Sequence, residues 1–275
     1  MSFSKAVKNS YYSLFDLKKL DENGHHPDGP VVSLTTVPSR IDKIKPTLIS
    51  LLRQKVKPKR IEINLSRELF KDIEIPSALN NLKTIKFHWQ DKDYGPATKL
   101  ISTIKRHESS LERIIIVDDD MYYSEHLIQD LLSADLNSNG SQAFCINGFL
   151  LAENLQSESM GSDNPLKSGS RKVAVLEGCG GYILRTSFLD YASLLDLERA
   201  PVRAWFDDDV WISGHLSRRG IEKIQIATGK RKSLANTINS AITGNRSQLR
   251  TEVAKYFKDD WKKDEFEKTN FKGRY

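Results

Sequence analysis

The sequence predicts an α/β fold, a three-layer sandwich with a central, mostly parallel sheet between helices. Three observations predict it. Short apolar, β-branched runs recur along the chain, and segments with apolar residues at helical spacing separate them. The most apolar run, residues 114–117, has the continuous hydrophobicity of a strand that is covered on both faces. Strands that alternate with helices are connected by right-handed crossovers, which leave neighbouring strands parallel.

The predicted elements follow from these patterns in chain order. Strands are predicted at residues 31–35, 60–65, 84–89, 114–117, 143–146, 173–176 and 182–184. Helices are predicted at residues 46–52, at 97–106, from an N-cap at Ser124 through Leu132, and from residue 207 onward. Residues 153–172 are rich in Ser, Gly, Asn and charge, which indicates a long surface loop.

The composition excludes several classes of protein. Hydrophobic residues make up 39% of the 275 residues and charged residues 28%, which is typical of a globular chain. No apolar run approaches the ~20 residues that span a bilayer, and the first residues lack the apolar segment of a signal peptide. Two cysteines, Cys145 and Cys179, are too few for a disulfide framework, so we expect a cytoplasmic protein. The net charge of +6 favours anionic partners without choosing among them.

The strongest chemical pattern is the triplet Asp118-Asp119-Asp120, which directly follows the most apolar strand. Ligands of open α/β sheets collect at the carboxyl ends of the strands. Adjacent carboxylates need a compensating cation, and hard oxygen ligands suit Mg²⁺ or Mn²⁺ together with substrate phosphates. Alternation predicts that Asp118 and Asp120 face one way and Asp119 the other. A solvated acidic turn that caps the next helix is the simpler alternative.

A second triplet, Asp207-Asp208-Asp209, opens a predicted helix. The helix macrodipole favours acidic residues there, which explains one or two of them better than three. The chemical alternative is a general base that removes a proton from an attacking hydroxyl. Both interpretations can hold together.

Four weaker patterns add candidates. The glycine-rich run Glu177–Gly181 permits close backbone approach to a ligand, or forms a tight hairpin. The run Asp93–Lys99 contains a Gly-Pro turn and places Lys99 in the first turn of a helix, where its charge opposes the dipole unless it meets an anion. The basic run Gly229–Ser233 suits a diphosphate, although basic runs are usually solvated surface. His215 is either a packed histidine or a metal ligand.

In this order the segments resemble the GT-A-fold, Rossmann-like nucleotide-sugar glycosyltransferases, of the inverting family-2-like kind that builds bacterial polysaccharides and capsules. The resemblance covers residues 31–227. It rests on the run Ser33–Arg40 after the first strand, the DxD-type triplet Asp118–Asp120, the glycines Gly178–Gly181, and the run Asp208–Gly220, which is similar to an "ED…L…R…G" stretch. The processive "QxxRW" signature is missing, which implies transfer of a single sugar.

The resemblance implies a role for each matched residue. Asp209 matches the catalytic base, and Asp208 is the second candidate. Mn²⁺ or Mg²⁺ would be held by Asp120 and Asp118, with His215 as a candidate third ligand. Contacts with the nucleotide or the donor sugar are expected from Thr35, Pro38, Arg40, Asp93, Lys99, Asp118, Asp119, Gly180 and Gly181. Outside the matched range, the basic run itself suggests diphosphate contacts from Lys230 and Lys232.

These roles imply an enzyme that moves one hexose-type sugar, with inversion, from a nucleoside-diphosphate sugar to a hydroxyl of a glycan or lipid-linked acceptor. A UDP-sugar is the first choice of donor. The expected domains are a lead-in over residues 1–28, a catalytic domain over 29–228, and a basic, helical or irregular extension over 229–275 beside the active site. The basic extension would also allow peripheral contact with the inner face of a membrane.

Two other functions stay open at this point. A sugar-phosphate nucleotidyltransferase or a metal-dependent phosphohydrolase also uses acidic clusters with Mg²⁺. The first predicted strand, however, is followed by residues 35–40 without the glycine-rich phosphate loop that a nucleotidyltransferase favours. A basic nucleic-acid-binding protein is disfavoured because the strongest clusters are acidic, so we expect no nucleic-acid partner.

Overall fold

The structure of the protein is a computed structural model, which describes residues 16–71, 73–79, 81–108, 110–138, 140–157, 160, 166–196, 198–228, 232–233 and 246–267. The strands are β1 Val31–Thr35, β2 Arg60–Ser66, β3 Ile85–Gln90, β4 Arg113–Ile116, β5 Met121–Tyr122, β6 Gln142–Cys145, β7 Gly148–Phe149, β8 Ser170–Lys172, β9 Val175–Leu176, β10 Tyr182–Arg185, β11 Glu222–Ile226 and β12 Lys232–Ser233. The α-helices are α1 Leu17–Glu22, α2 Lys45–Leu52, α3 Arg67–Phe70, α4 Thr98–His107, α5 Leu127–Asn137, α6 Tyr191–Leu195, α7 Asp208–Arg218 and α8 Arg246–Tyr256. Short 3₁₀ helices lie at Ile41–Lys43, Ser77–Leu79, Gly95–Ala97, Thr186–Phe188, Ala204–Phe206 and Lys263–Glu265.

Eight strands form the central sheet in the order β3-β2-β1-β4-β10-β6-β11-β8. The strands β3, β2, β1 and β4 pair in parallel, as do β6 and β11. Strand β10 is antiparallel to both of its neighbours, and β8 is antiparallel to β11. The predicted α/β fold with a mostly parallel sheet is confirmed.

The reversed direction of β10 shapes one edge of the sheet. Its first residue, Tyr182, pairs with Ile116 at the end of β4 and with Cys145 at the end of β6. The loop that precedes β10 therefore lies at the same edge as the residues that follow β1, β4 and β6.

Helices cover both faces of the sheet. Alternation along β4 directs Ile115 into one hydrophobic cluster, with α1, α2 and α5, and directs Ile114 and Ile116 into another, with α4, α7 and α8. This confirms the predicted three layers. Within the described residues, the search for a helix with the length and apolarity of a bilayer span found none.

Three details differ from the sequence prediction. The expected lead-in includes α1, whose Leu17 is buried in the core and whose Asp21 carboxylate accepts hydrogen bonds from the N–H groups of Lys83 and Thr84. Only the last two residues of the predicted strand 173–176 form a strand. The backbone changes its hydrogen-bonding partner within this segment, because the Val173 N–H donates to Lys223 on β11 and the Ala174 N–H donates to Phe149 on β7. The expected loop 153–172 ends in β8.

The N-terminus of α5 also differs from the prediction. Its N-cap is His126, not Ser124, and the His126 side chain makes no capping hydrogen bond. The Ser124 hydroxyl instead accepts from the His126 N–H at 3.3 Å, and its carbonyl accepts from the Leu127 N–H. Ser124 therefore shapes the turn that leads into the helix.

Helix α8 from the expected C-terminal extension packs on α7. The rings of Trp211 and Phe257 lie 5.3 Å apart, and Phe257 covers Gly214 so closely that an added Cβ would lie 2.2 Å from its Cδ2 atom. Strand β12 pairs with β5 directly beyond the first acidic triplet. The described parts of the extension are therefore joined to both acidic segments of the chain.

We expect Gly214→Ala to lower the free energy of unfolding by about 1–3 kcal/mol, although alanine is the better helix former. The added methyl group would press the Phe257 ring away from α7. Denaturant unfolding measures the loss, and Gly214→Ala combined with Phe257→Leu should recover part of it. A single variant as stable as the wild type would contradict this packing.

Candidate active site

The site lies at the carboxyl edge of the sheet, where three loops meet. One follows β1 and contains Thr36 and Arg40, one follows β4 and contains Asp118–Asp120, and one precedes β10 and contains Gly178–Gly181. The start of α7 contributes the second acidic triplet to the same place. Hydrogen bonds and ion pairs join all four segments.

Lys99 lies at the centre of this arrangement, in the first turn of α4. Its side chain is only 3% exposed, and its Nζ donates to Asp118 Oδ1 at 2.6 Å and lies 2.8 Å from Asp208 Oδ2. Burial alone would lower the pKa of Lys99, but the surrounding carboxylates raise it well above its ordinary value. Lys99 therefore joins the end of β4 to the start of α7. Its expected contact with the nucleotide or the donor sugar stays a prediction.

The glycine loop has no space for side chains beside this ion pair. An added Cβ at Gly178 would lie 2.7 Å from Asp118 Oδ1 and 2.8 Å from Lys99 Nζ. At Gly180 it would lie 2.7 Å from the Asn147 backbone nitrogen. Gly181 has a φ of +84°, which glycine adopts without strain. The resemblance assigned substrate contacts to Gly180 and Gly181, whereas Gly178 is the glycine that approaches the charged pair.

Each carboxylate of the second triplet has a partner from a different segment. Asp207 Oδ2 accepts from Arg250 Nε at 3.0 Å, Asp208 is paired with Lys99, and Asp209 Oδ1 accepts from the Gly178 N–H at 3.0 Å. Asp207 occupies the N-cap position of α7, but its side chain makes no capping hydrogen bond. Asp207 therefore does not cap the helix through its side chain, whereas Asp208 and Asp209 lie in the first turn, where the macrodipole favours acidic residues.

Asp209 differs from its neighbours in exposure. Asp207 and Asp208 are buried, whereas Asp209 is half-buried. Burial, and then the negative charge of Asp208, raise the pKa of Asp209 to about 8. A general base works best when its pKa lies near the working pH, so Asp209 is a candidate base whose ionised form becomes abundant as the pH approaches 8.

Asp119 faces the loop after β1. Its carboxylate accepts from Thr36 Oγ1 at 2.5 Å and from Arg40 Nη1 at 2.7 Å, and its carbonyl accepts from Thr47 Oγ1 at 2.8 Å. Burial raises the pKa of Asp119, while Arg40 acts in the opposite direction. Through these bonds Asp119 connects the loop after β1 with the loop after β4. Its expected contact with the nucleotide stays a prediction.

Asp118 and Asp120 retain some exposure, with side chains that are 30% and 27% accessible. Asp120 Oδ2 lies 3.6 Å from Arg40 Nη1. No cluster of three or more His, Cys, Asp or Glu side chains that could hold a metal was found in the described part of the chain. Two hard carboxylate ligands fit Mg²⁺ or Mn²⁺ only as part of a shell that substrate phosphates complete.

His215 lies away from these carboxylates. It is seven residues beyond Asp208 on α7, about 10 Å along the helix axis. Its ring packs 4.5 Å from Trp211 and 5.0 Å from Phe257, and burial lowers its pKa to about 3. His215 is thus placed in the aromatic core, and we do not assign it to the metal.

The other predicted nucleotide contacts are placed around the same edge. Thr35 Oγ1 donates to the carbonyl of Asn64 at 2.7 Å, and Pro38 is half-exposed in the turn after β1. Asp93 Oδ1 accepts from the Gly95 N–H at 2.9 Å, and burial raises the pKa of Asp93. Gly95, with φ of +51°, packs against the Phe206 ring just before α7.

The structure describes only residues 232 and 233 of the basic run Gly229–Ser233. Lys230 lies outside the described residues, and for Lys232 the structure gives the backbone, which pairs with Tyr122. The predicted diphosphate contacts of both lysines therefore stay predictions.

The sequence analysis missed two residues of the site. The hydroxyl of Tyr123, a buried residue, accepts from the Asp118 N–H at 2.8 Å and lies 3.3 Å from the Gly178 carbonyl, so it joins two of the loops. Arg250 reaches Asp207 from the C-terminal helix. Both act through contacts between distant segments, which no local pattern marks.

No protein-family model matches the chain, and no curated protein matches it significantly. Among solved structures it is similar to Staphylococcus aureus TarS 1-349 in complex with UDP (TM-score 0.49, 16% identity, 74% of this chain and 59% of that one). It is also similar to the mannosyltransferase PcManGT from Pyrobaculum calidifontis in complex with GDP-Man and Mn²⁺ (TM-score 0.49, 13% identity, 85% of this chain and 66% of that one). A third similar structure is that of a putative glucose-1-phosphate thymidylyltransferase from Bacillus anthracis (TM-score 0.44, 13% identity, 86% of this chain and 98% of that one). The chain thus spans less than two thirds of the TarS structure.

We expect Lys99→Met to lower the free energy of unfolding by about 3–5 kcal/mol, because the substitution removes the cation that both Asp118 and the buried Asp208 contact. Denaturant unfolding measures this loss. Lys105→Met, on the exposed side of the same helix, is the matched control and should change stability little. Equal effects of the two substitutions would contradict the central role of Lys99.

The raised pKa of Asp209 predicts a pH dependence of stability. Above about pH 4 the unfolded chain ionises this carboxyl, while the folded protein keeps it protonated up to about pH 8. The unfolded state then binds fewer protons, so stability falls as pH rises through this window. Melting temperatures from pH 5 to 8 should fall less in Asp209→Asn than in the wild type. Parallel curves would show that Asp209 titrates normally.

Proposed function

We propose that this protein is a metal-assisted glycosyltransferase of the GT-A type, which moves one sugar from a nucleoside-diphosphate sugar to a hydroxyl group. One observation carries the proposal. A half-buried carboxylate with a raised pKa, Asp209, is hydrogen-bonded to the same glycine loop that touches Asp118. A candidate base and a candidate phosphate-binding edge are thereby held together at the carboxyl end of the sheet.

The donor nucleotide would lie across the ends of β1 and β4. Pro38 and Arg40 follow β1, and Asp118 and Asp120 follow β4, which is where open α/β sheets bind their ligands. Arg40 already holds Asp119 at 2.7 Å, so its guanidinium is fixed beside this edge. The glycine loop would border the donor sugar, because it lacks side chains on the side of Asp118.

Asp120 and Asp118 are the residues that would hold Mg²⁺ or Mn²⁺. A divalent cation at this position supplies positive charge to the departing diphosphate. Both carboxylates keep part of their surface accessible, whereas Asp119 is tied down by Thr36 and Arg40. The lysines of residues 229–233 would add positive charge near the same phosphates.

Asp209 would remove the proton from the acceptor hydroxyl as that oxygen attacks the anomeric carbon. Base catalysis of this kind contributes typically ~10²–10⁴-fold. Its Oδ1 is held by the Gly178 N–H at 3.0 Å, which leaves Oδ2 as the candidate proton acceptor. A base opposite the leaving diphosphate inverts the configuration at carbon, so we propose inversion.

The substrate identities are also proposals. A UDP-sugar is our first choice of donor, and a glycan or lipid-linked sugar is our choice of acceptor. We propose polysaccharide synthesis at the inner face of a membrane as the setting, since the net positive charge of the chain favours contact with anionic lipids.

The direct test is turnover by Asp209→Asn. We expect release of nucleoside diphosphate from a nucleotide-sugar to fall by at least ~10²-fold with the affinity for nucleoside diphosphate nearly unchanged, because the variant loses a base and keeps the phosphate-binding edge. A coupled assay for the diphosphate and calorimetry measure the two quantities. Glu125→Gln, an exposed carboxylate in the turn before α5, is the control.

Two outcomes would overturn the proposal. Unchanged turnover in Asp209→Asn would remove this residue as the base. Release of pyrophosphate from a nucleoside triphosphate and a sugar phosphate, with no reaction of any nucleotide-sugar, would establish a nucleotidyltransferase instead.

A further inference from the structure

The C-terminal helix α8 reaches the second acidic triplet through one side chain. Arg250 Nε donates to Asp207 Oδ2 at 3.0 Å, and the side chains are 21% and 0% exposed. The guanidinium also lies 5.4 Å from the centre of the Phe149 ring. No residue of this helix was among the candidates from the sequence.

The carboxyl group of Asp207 is fully buried, so a charged partner matters for it. A buried carboxylate without a compensating charge is strongly destabilising, and removal of one partner of a buried pair leaves that cost in full. The second oxygen of Asp207, Oδ1, has no hydrogen-bond partner within the described residues. Arg250 is therefore the cation that compensates Asp207.

The state of Asp207 affects the candidate base two residues further along. The negative charge of Asp207 is among the causes that raise the pKa of Asp209. Arg250 also acts on Asp209 through its charge, which favours the ionised base. The charged and titratable groups that face Asp209 are Asp207 and Asp208 on its own helix, Lys99 on α4, Asp118 after β4, Tyr182 on β10, Cys145 on β6 and Arg250 on α8.

We propose that Arg250 is a positioning residue of the active site, through which the C-terminal helix neutralises Asp207 and fixes the first turn of α7 so that Asp209 is presented to the acceptor. This inference rests on the proposed function. The helix is held independently of Arg250, because the Trp211 and Phe257 rings pack together and Arg218 pairs with Asp260 at 2.9 Å at the other end of α7. Arg250 can therefore be changed without undocking α8.

The test compares Arg250→Met with the double variant Arg250→Met/Asp207→Asn. In the single variant we expect kcat for nucleotide-sugar turnover to fall about tenfold or more with the donor KM within about twofold, because the base and not the phosphate edge is affected. The acidic limb of the pH–rate profile should move up by about one pH unit, since Asp207 is left uncompensated beside Asp209. The double variant removes both charges and should return the limb to its wild-type position.

Arg218→Met is the matched control, since it removes an ion pair between α7 and the segment after α8 at the end remote from the triplet. It should leave the pH–rate profile unchanged. An Arg250→Met profile that matches the wild type, or a double variant that stays shifted, would overturn the positioning role. A shift of equal size in Arg218→Met would show that docking of the helix alone is responsible.

A second readout does not depend on turnover. The fall of melting temperature between about pH 5 and pH 8 should be steeper in Arg250→Met than in the wild type and should return in the double variant. Identical slopes would overturn the coupling between Arg250 and the triplet. If no nucleotide-sugar reacts with the wild type, the proposed function fails, while this readout still decides whether Arg250 controls the charge of the triplet.

Discussion

The ammonium group of Lys99, held between Asp118 and Asp208, is the contact on which the rest of the site depends. It joins the first turn of α4, the end of β4 and the first turn of α7, three segments that are far apart in sequence. A buried cation would be costly by itself, and each of the two carboxylates would be costly beside the other acidic residues. Together the lysine and the two carboxylates offset one another's burial cost, so substitution of any one of them leaves the others without their partner.

The geometry around that group follows from its size. Gly178 lies against both charged atoms, so its loop can pass the ion pair only without a side chain. The N–H of the same glycine then donates to Asp209, which fixes this carboxylate at the open side of the triplet. Asp207 pairs with Arg250 of the C-terminal helix. The start of α7 is thus held by three partners, and of its three carboxylates Asp209 is the one that keeps part of its surface exposed.

The parts of this arrangement that could be predicted from sequence are the local ones. Continuous hydrophobicity marked β4, and the acidic residues after it marked the edge where the loops meet. The central position of β10 could not be predicted, because antiparallel insertion depends on pairing between strands distant in sequence. The same limit applies to Arg250, because its helix also contains Arg246 and Lys255 and no local pattern marks position 250. His215 shows the converse, since a residue type that binds metals in other settings packs here among aromatic rings.

Net charge is a poor guide to this site. The chain carries +6, yet the residues that meet at the edge of the sheet are mostly acidic. The buried carboxylates of the two triplets lie beside cations: Asp119 beside Arg40, Asp207 beside Arg250, and Asp208 beside Lys99. The central claim is that this edge binds the diphosphate of a nucleotide. Calorimetric titration of the wild-type protein with UDP, GDP, ADP, CDP and dTDP, each with and without Mn²⁺ or Mg²⁺, tests it most directly. Saturable binding of at least one nucleotide, tighter with the metal and weakened by Asp120→Asn, is the result expected. Failure of every nucleotide to bind under either condition would contradict the claim.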